Sequence, residues 1–459
     1  MATAGQAGSV LNDVRYAEAT VPLRMDPITA GAELTRSAGE GYMLYERPGE
    51  VSVGFGAAAE IVLTRSQIRF RGPRRADWTV EPMPDEPLHR VSELLAECGV
   101  DGWRAYGWLG FELSYLRFGR PEVPEGLTLG HLVVPSREVR LGAGTALLRA
   151  LRWDDLAELH DQLERLREPA GWPGVDAPVD DTVDHDGYRD AVASAVAEIR
   201  ADHMRKVVLS REVPVPGGID LAATYQVGRR SNTPVRSFLL DLGGLRSAGF
   251  SPETLLEARG DGSVSTQPLA GTRALSGDPS RDAALRDELV NDAKEVFEHV
   301  VSVRAAQEEL RAVCREGSVL VEEFMTVGRR GSVQHLASRV TGKLADTRTG
   351  WHALARMFPA VTVSGLPKPA AYQAIARYER EPRGLYGGVV VTADAHGALD
   401  AAVVLRAVYQ DGERTWLRSG AGVVAQSRPD REFEETREKL RSIAPFLVPA
   451  PVGTATGPT

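Results

Sequence analysis

Apolar and polar positions alternate in short runs over much of this chain, and stretches with helical spacing interrupt them. Over residues 42–70 the runs YMLYE, VSVGF, EIVLT and QIRF are parted by Pro-Gly, Gly-Ala or polar breaks, which predicts an antiparallel meander. After Pro87, Leu88, Val91, Leu94, Leu95 and Cys98 recur at helical spacing. The aromatic, glycine-rich run over 101–115 reads as packed core. Strands are predicted at 131–134 and 136–141, and a helix over 154–167. A Pro-, Gly- and Asp-rich segment over 168–187 breaks both periods and is the best internal boundary. Beyond it Tyr188, Val192, Val196 and Ile199 mark one face of a helix that Asp186 could cap.

In the second half the polar residues carry more information. Residues 249–274 read as two strands joined at Gly260-Asp261-Gly262, with GFSPE before them and QPLAGTR after, so polar chemistry falls at strand ends. Lys206 opens the strand KVVLSREVPV, where a solvated edge charge is the ordinary reading. A long helix is predicted over 281–310, with Glu295 and Glu298 three apart on one face. A second, over 430–443, places Glu432, Glu435 and Lys439 on one face; either pair alone is compatible with solvated charge. Arg406 sits within a predicted strand over 401–410 and requires an anionic partner, because a buried unpaired charge is too costly. Gly420-Ala421-Gly422 fits either close approach of a ligand to the backbone or a tight turn.

Composition narrows the partners. The 459 residues carry a net charge of −9 with no basic cluster, which argues against nucleic acid or an anionic membrane surface. An anionic substrate would need local cations or a metal. The N-terminus lacks the basic and apolar regions of a signal peptide, and no apolar run reaches membrane-spanning length. Cys98 and Cys314 are far apart without metal-ligand spacing, which suits buried thiols in a reducing cytoplasm. The first twenty or so residues and the last ten are expected to be loosely held.

From Lys206 to Lys439 the stretches KVVLSR, GFSPE, PLAGTR, KEVFEHVVSVR, VQHLASRVTGKL, FPAVTVSGLPK, PRGLYGGVVV, RSGAGVV and EFEETREKL occur in an order that closely resembles the chorismate-utilising enzymes. That family includes anthranilate, aminodeoxychorismate, isochorismate and salicylate synthases. The resemblance implies an α/β (α+β) fold: one large unit of two antiparallel sheets packed as a sandwich, with helices outside. Residues 1–185 would be the N-terminal part of that fold, 186–449 the chorismate-binding catalytic region and 450–459 a disordered tail.

By the same resemblance one Mg²⁺ would be held by Glu298 and Glu435 directly, and by Glu295 and Glu432 through water. Hard oxygen donors from two helices suit that ion. Arg406 and Tyr386 would hold the enolpyruvyl carboxylate, and Lys439 would offset the ring carboxylate. Gly271, Thr272 and Gly420 would bring backbone close to the substrate. His335 would lie at the site without an assigned proton transfer. Lys206 stands where anthranilate synthases carry Gln, and resembles the base that activates water at C2; burial would favour its neutral form. Glu253 would be the general acid for the departing C4 hydroxyl. Ala270 occupies the place of the nucleophilic lysine of aminodeoxychorismate synthases. The PAVT context with Thr362 resembles salicylate synthases, and implies an enzyme that carries chorismate through isochorismate to salicylate and pyruvate. The expected protein is monomeric, without an amidotransferase partner.

Overall fold

The computed structural model describes residues 14–39, 41–118, 122–169, 171, 179–330 and 333–450. Among them the strands form two large sheets, one of twelve strands and one of eleven, antiparallel throughout. Central strands such as Val389–Asp394 and Leu399–Val403 are buried on both faces, whereas outer strands such as Ala17–Pro22 and Arg75–Pro82 are not. In strand Arg236–Leu242, Phe238 and Leu240 pack in the seam between the sheets with Tyr106, Trp108 and Val390, while Leu239 points outward. Ala407 and Tyr409 likewise face the seam, and Val408 does not. Helices Pro27–Arg36, Trp153–Arg165 and Leu221–Ser231 close the outer face of the eleven-stranded sheet. Pro87–Ala96 and Gly350–Met357 close that of the other. This is the sandwich expected from the sequence.

Strands from before and after residue 185 pair in both sheets. Arg104–Leu109 lies beside Val389–Asp394 in one, and Tyr42–Arg47 beside Arg236–Leu242 in the other. Two segments change sheet, and they do so side by side. Strand Leu245–Ser251 belongs to the eleven-stranded sheet, and past Pro252-Glu253 the backbone resumes as Thr254–Ala258 in the other. Leu399–Val403 and Ala407–Asp411 make the reverse crossing. The crossings are stitched together: Phe250 N donates to Arg406 O (3.1 Å), Val403 N to Glu253 O (3.1 Å) and Ser251 Oγ to Val403 O (2.6 Å).

Several elements differ from the sequence reading. The helix expected over 281–310 is two, Pro279–Asn291 and Ala293–Arg311. Asp292 is extended and caps the second by accepting from Lys294 N and Glu295 N. The strand expected over 401–410 is the second crossing, with Arg406 at φ 53° in the left-handed region. Asp186 does not cap the helix Tyr188–Arg200; the Asp184 carboxylate accepts from Tyr188 N and Arg189 N instead. Near the N-terminus Ala17–Pro22 is a full strand paired with Thr145–Ala150. Of the expected tail over 450–459, Ala450 is bonded, its N donating to Gly218 O at 2.8 Å; residues 451–459, residues 170 and 172–178 of the proposed boundary, and residues 1–13 lie outside the described residues. Cys98 and Cys314 are free and buried. No helix among the described residues is long and apolar enough to cross a membrane.

Candidate active site

The paired crossings open on a cavity. Glu253 and Arg406 reach it from the two crossings, and Gly271, Thr272 and His335 from the strands beside them. Thr362, Tyr386 and Gly420 complete the wall, with Glu298, Glu435 and Lys439 from the two helices. Three expected residues, Lys206, Glu295 and Glu432, stand behind that wall. Lys206 is buried with its Nζ 2.8 Å from Glu298 Oε1 and 3.4 Å from Ser302 Oγ. Glu295 packs against Gly271, whose φ of 68° at a strand irregularity admits the approach.

On the cavity wall, burial strongly alters the chemistry of Glu253. Burial without a charged partner raises its carboxyl to about 8, against the opposing effects of the Thr362 hydroxyl and, farther off, Lys206. Thr362 Oγ1 lies 2.8 and 3.0 Å from its two carboxyl oxygens. The group is therefore an acid at neutral pH, able to deliver a proton into the cavity.

The four glutamates of the two helices form interleaved ion pairs. Besides the Lys206–Glu298 contact, Lys439 Nζ is 2.8 Å from Glu435 Oε1, Lys294 Nζ 2.8 Å from Glu432 Oε1, and Arg273 Nη1 3.4 Å from Glu295 Oε1. Among the described residues no three acidic, histidine or cysteine groups come together closely enough to hold an ion as they stand. The set is nevertheless overcrowded with negative charge. Glu295 is pushed up to about 7 by burial and by Glu435 and Glu298. Burial and Glu435 also raise Glu432, whose buried Oε2 has no hydrogen-bond partner. Glu435 is held at about 2, where burial is outweighed by Lys439 and Lys294. Buried carboxylates that repel one another, one with an orphaned oxygen, fit a hard divalent cation.

Also on the cavity wall, Arg406 lies beside His335, Nη2 to Nε2 at 2.5 Å. His335 Nδ1 is 3.1 Å from Gly271 O and 3.2 Å from Thr272 Oγ1. The strand Arg414–Val423 runs along the wall, so its glycines lie in a strand and not in a tight turn. A Cβ on Gly420 would come within 2.6 Å of Leu209 O and 2.9 Å of the Tyr386 hydroxyl. Lys439 Nζ donates to Gly420 O at 2.9 Å, which ties the helix Pro429–Leu440 to that wall.

Of the four cations, sequence reasoning named Lys206 and Lys439 but missed Lys294 and Arg273, and the scaffold behind them. Lys294 and Arg273 adjoin recognised residues, Glu295 and Thr272, and that adjacency was the available signal. Arg418 lines the cavity but is fully engaged: it donates to Ser210 Oγ, Pro382 O, Glu381 O and Glu379. Glu379 also pairs with Arg383, and the two guanidiniums flank the Tyr386 ring at 5.8 and 5.7 Å. Nothing local in the sequence announces that arrangement.

A family model described as chorismate binding enzyme matches residues 40–445. A salicylate synthase of Mycolicibacterium paratuberculosis is 42% identical over 443 residues, which is 93% of this chain and 95% of that protein. Among solved structures, anthranilate synthase component I of Streptococcus pneumoniae superposes with a TM-score of 0.74 at 24% identity, covering 86% of this chain and 92% of that one. The menaquinone-specific isochorismate synthase of Escherichia coli does so with 0.70 at 24%, covering 94% of each. At such identities these two likenesses speak for the fold. The family match, spanning the cavity and both glutamate helices, goes further: this chain belongs to the chorismate-binding enzymes.

Proposed function

We propose that this enzyme is a salicylate synthase: it adds water at C2 of chorismate with loss of the C4 hydroxyl, then releases pyruvate from the isochorismate formed. The observation that carries the chemistry is Glu253, buried and protonated at neutral pH on the cavity wall. The extended similarity to a salicylate synthase supports the choice of product.

Glu253 donates its proton to the departing C4 oxygen, and the Thr362 hydroxyl fixes the carboxyl in the required orientation. Lys206 is the base for the incoming water. Its Nζ pairs with Glu298, so release from that carboxylate belongs to the reading. Arg406 and Tyr386 take the enolpyruvyl carboxylate, and Arg supplies a planar fork suited to it. Lys439 balances the ring carboxylate. Glu298 and Glu435 would hold Mg²⁺, with Glu295 and Glu432 outside them, and the ion would neutralise the ring carboxylate among these glutamates.

In the second step the C2 hydrogen passes to the enolpyruvyl methylene while the ether bond from the ring to the enolpyruvyl group breaks, giving salicylate and pyruvate. The transfer is internal to the substrate, so it needs both ends held more than it needs a new base. The purified protein with chorismate and Mg²⁺ should yield salicylate and an equal amount of pyruvate by chromatography. Accumulation of isochorismate without pyruvate would show that catalysis stops at the first step. A product containing ammonia nitrogen would overturn the assignment of water as nucleophile.

A further inference from the structure

Histidine at a cavity wall invites a role in proton transfer, but the partners of His335 point elsewhere. Arginine side chains only donate hydrogen bonds, and a carbonyl oxygen only accepts them. The 2.5 Å contact between Arg406 Nη2 and His335 Nε2 therefore places the imidazole lone pair on Nε2. The 3.1 Å contact to Gly271 O places the ring proton on Nδ1, and Thr272 Oγ1, 3.2 Å away, accepts a share of it. An imidazolium could not make the first contact, since both of its nitrogens donate and two cations would face one another at 2.5 Å.

We infer that His335 is a positioning residue: a neutral Nδ1–H imidazole that fixes the guanidinium of Arg406 for carboxylate binding. The need for such a brace follows from where Arg406 stands. It lies between strands of different sheets, at φ 53°, so no regular strand pairing sets the direction of its side chain. His335 comes from the strand Val333–Lys343 of the twelve-stranded sheet, opposite Thr272 in register. Gly271, at φ 68° beside the strand irregularity, supplies the carbonyl that orients the ring. A rigid relay of contacts thus runs from the Gly271 carbonyl through the imidazole to the guanidinium.

This inference rests on the proposed reading of the cavity as the chorismate site, and its test separates the two. His335→Ala should raise KM for chorismate about 10- to 100-fold, the loss of a hydrogen bond to a charged group, while kcat falls far less. His335→Gln should recover most of that loss, because an amide can accept from Arg406 and donate to Gly271 O. The pH profile of the glutamine variant should keep every limb of the wild type. A glutamine variant with an unchanged KM and a collapsed kcat, or one that loses a limb, would overturn the inference in favour of proton transfer. Nitrogen NMR of the wild-type protein adds a readout that needs no turnover. It should show a protonated Nδ1 and an unprotonated Nε2 on His335 across neutral pH; the opposite tautomer or an imidazolium would overturn the inference. If the wild type consumes no chorismate, the functional reading fails, and the tautomer still decides the His335–Arg406 contact.

Discussion

Glu253→Gln is expected to abolish turnover and to gain stability over the wild type as pH rises. The carboxyl titrates near 4.5 in solution and at about 8 in the folded protein, chiefly because burial disfavours its charged form. Below about 4.5 the acid is protonated in the folded and unfolded states alike. Between the two values the unfolded state gives up its proton while the folded state keeps it, so stability declines with rising pH until about 8. The gap of about 3.5 pH units corresponds to about 5 kcal/mol at ~1.36 kcal/mol per unit, an upper bound because local rearrangement relieves part of it. Glutamine cannot ionise and escapes this loss. Its amide does leave an unmatched donor near Thr362, a fixed offset that does not vary with pH. The slope of the difference is therefore the observable. Urea unfolding of both proteins at several pH values, without chorismate or metal, should show the mutant-minus-wild-type difference climbing by several kcal/mol from about pH 5 to about pH 9. A flat difference across that range would refute the assignment of Glu253 as a buried neutral acid. In the wild type at saturating Mg²⁺, kcat/KM should fall above about 8 as the acid ionises.

Thr362→Val removes a hydroxyl that favours ionisation of Glu253, so the alkaline limb of kcat/KM should move to higher pH while the rate below it drops; an unmoved limb would separate Thr362 from the acid. Lys206→Ala should stop isochorismate formation with chorismate binding retained. It should also cost about 3–5 kcal/mol in unfolding experiments, because buried Glu298 loses its partner. Chelation should abolish turnover and added Mg²⁺ restore it, and Glu435→Gln should raise the Mg²⁺ concentration required; full activity in excess chelator would exclude the metal. Gly420→Ala drives a methyl into Leu209 O and the Tyr386 hydroxyl, and should raise KM or lower stability by about 1–3 kcal/mol.

What is legible in the sequence is whatever depends on neighbours along the backbone. The two glutamate pairs stand out because three-residue spacing on a helix fixes a shared face, whatever the helix packs against. That logic survives the break at Asp292, since both Glu295 and Glu298 lie after it. The break itself is harder to see. Residues on either side of Asp292 continue a helical pattern, and only the use of an aspartate as a cap, rather than as a surface charge, distinguishes the two cases. Arg406 is conspicuous for the right reason, a charge among apolar residues, but its setting is not the strand that the pattern predicts. The residues flanking Arg406 are apolar because both sheets bury them, so the pattern runs on unbroken where the backbone leaves one sheet for the other.

The cation that holds each glutamate is hidden for a different reason: the partners meet across 22 to 138 residues of sequence, and every one is a Lys or Arg that could equally be solvated. Only Lys439, four residues from Glu435 on one helix, is readable as a pair. This matters for how an acidic protein binds an anion. On the sequence alone, four carboxylates and a dianion require a metal to offset them. The structure supplies Lys206, Lys294, Lys439 and Arg273 within the same group of charges, so the carboxylates are already partly compensated before any ligand arrives. Compensation is uneven, however: Glu295 sits at about 7 and Glu435 at about 2. Protonation of Glu295 is thus a second way for the site to shed negative charge without metal. Metal affinity should therefore fall as pH drops through about 7, because a protonated Glu295 gives up its charge in that group. Titration of Mg²⁺ at about pH 6 and about pH 8 checks this, and an affinity independent of pH would place Glu295 outside the ion's reach.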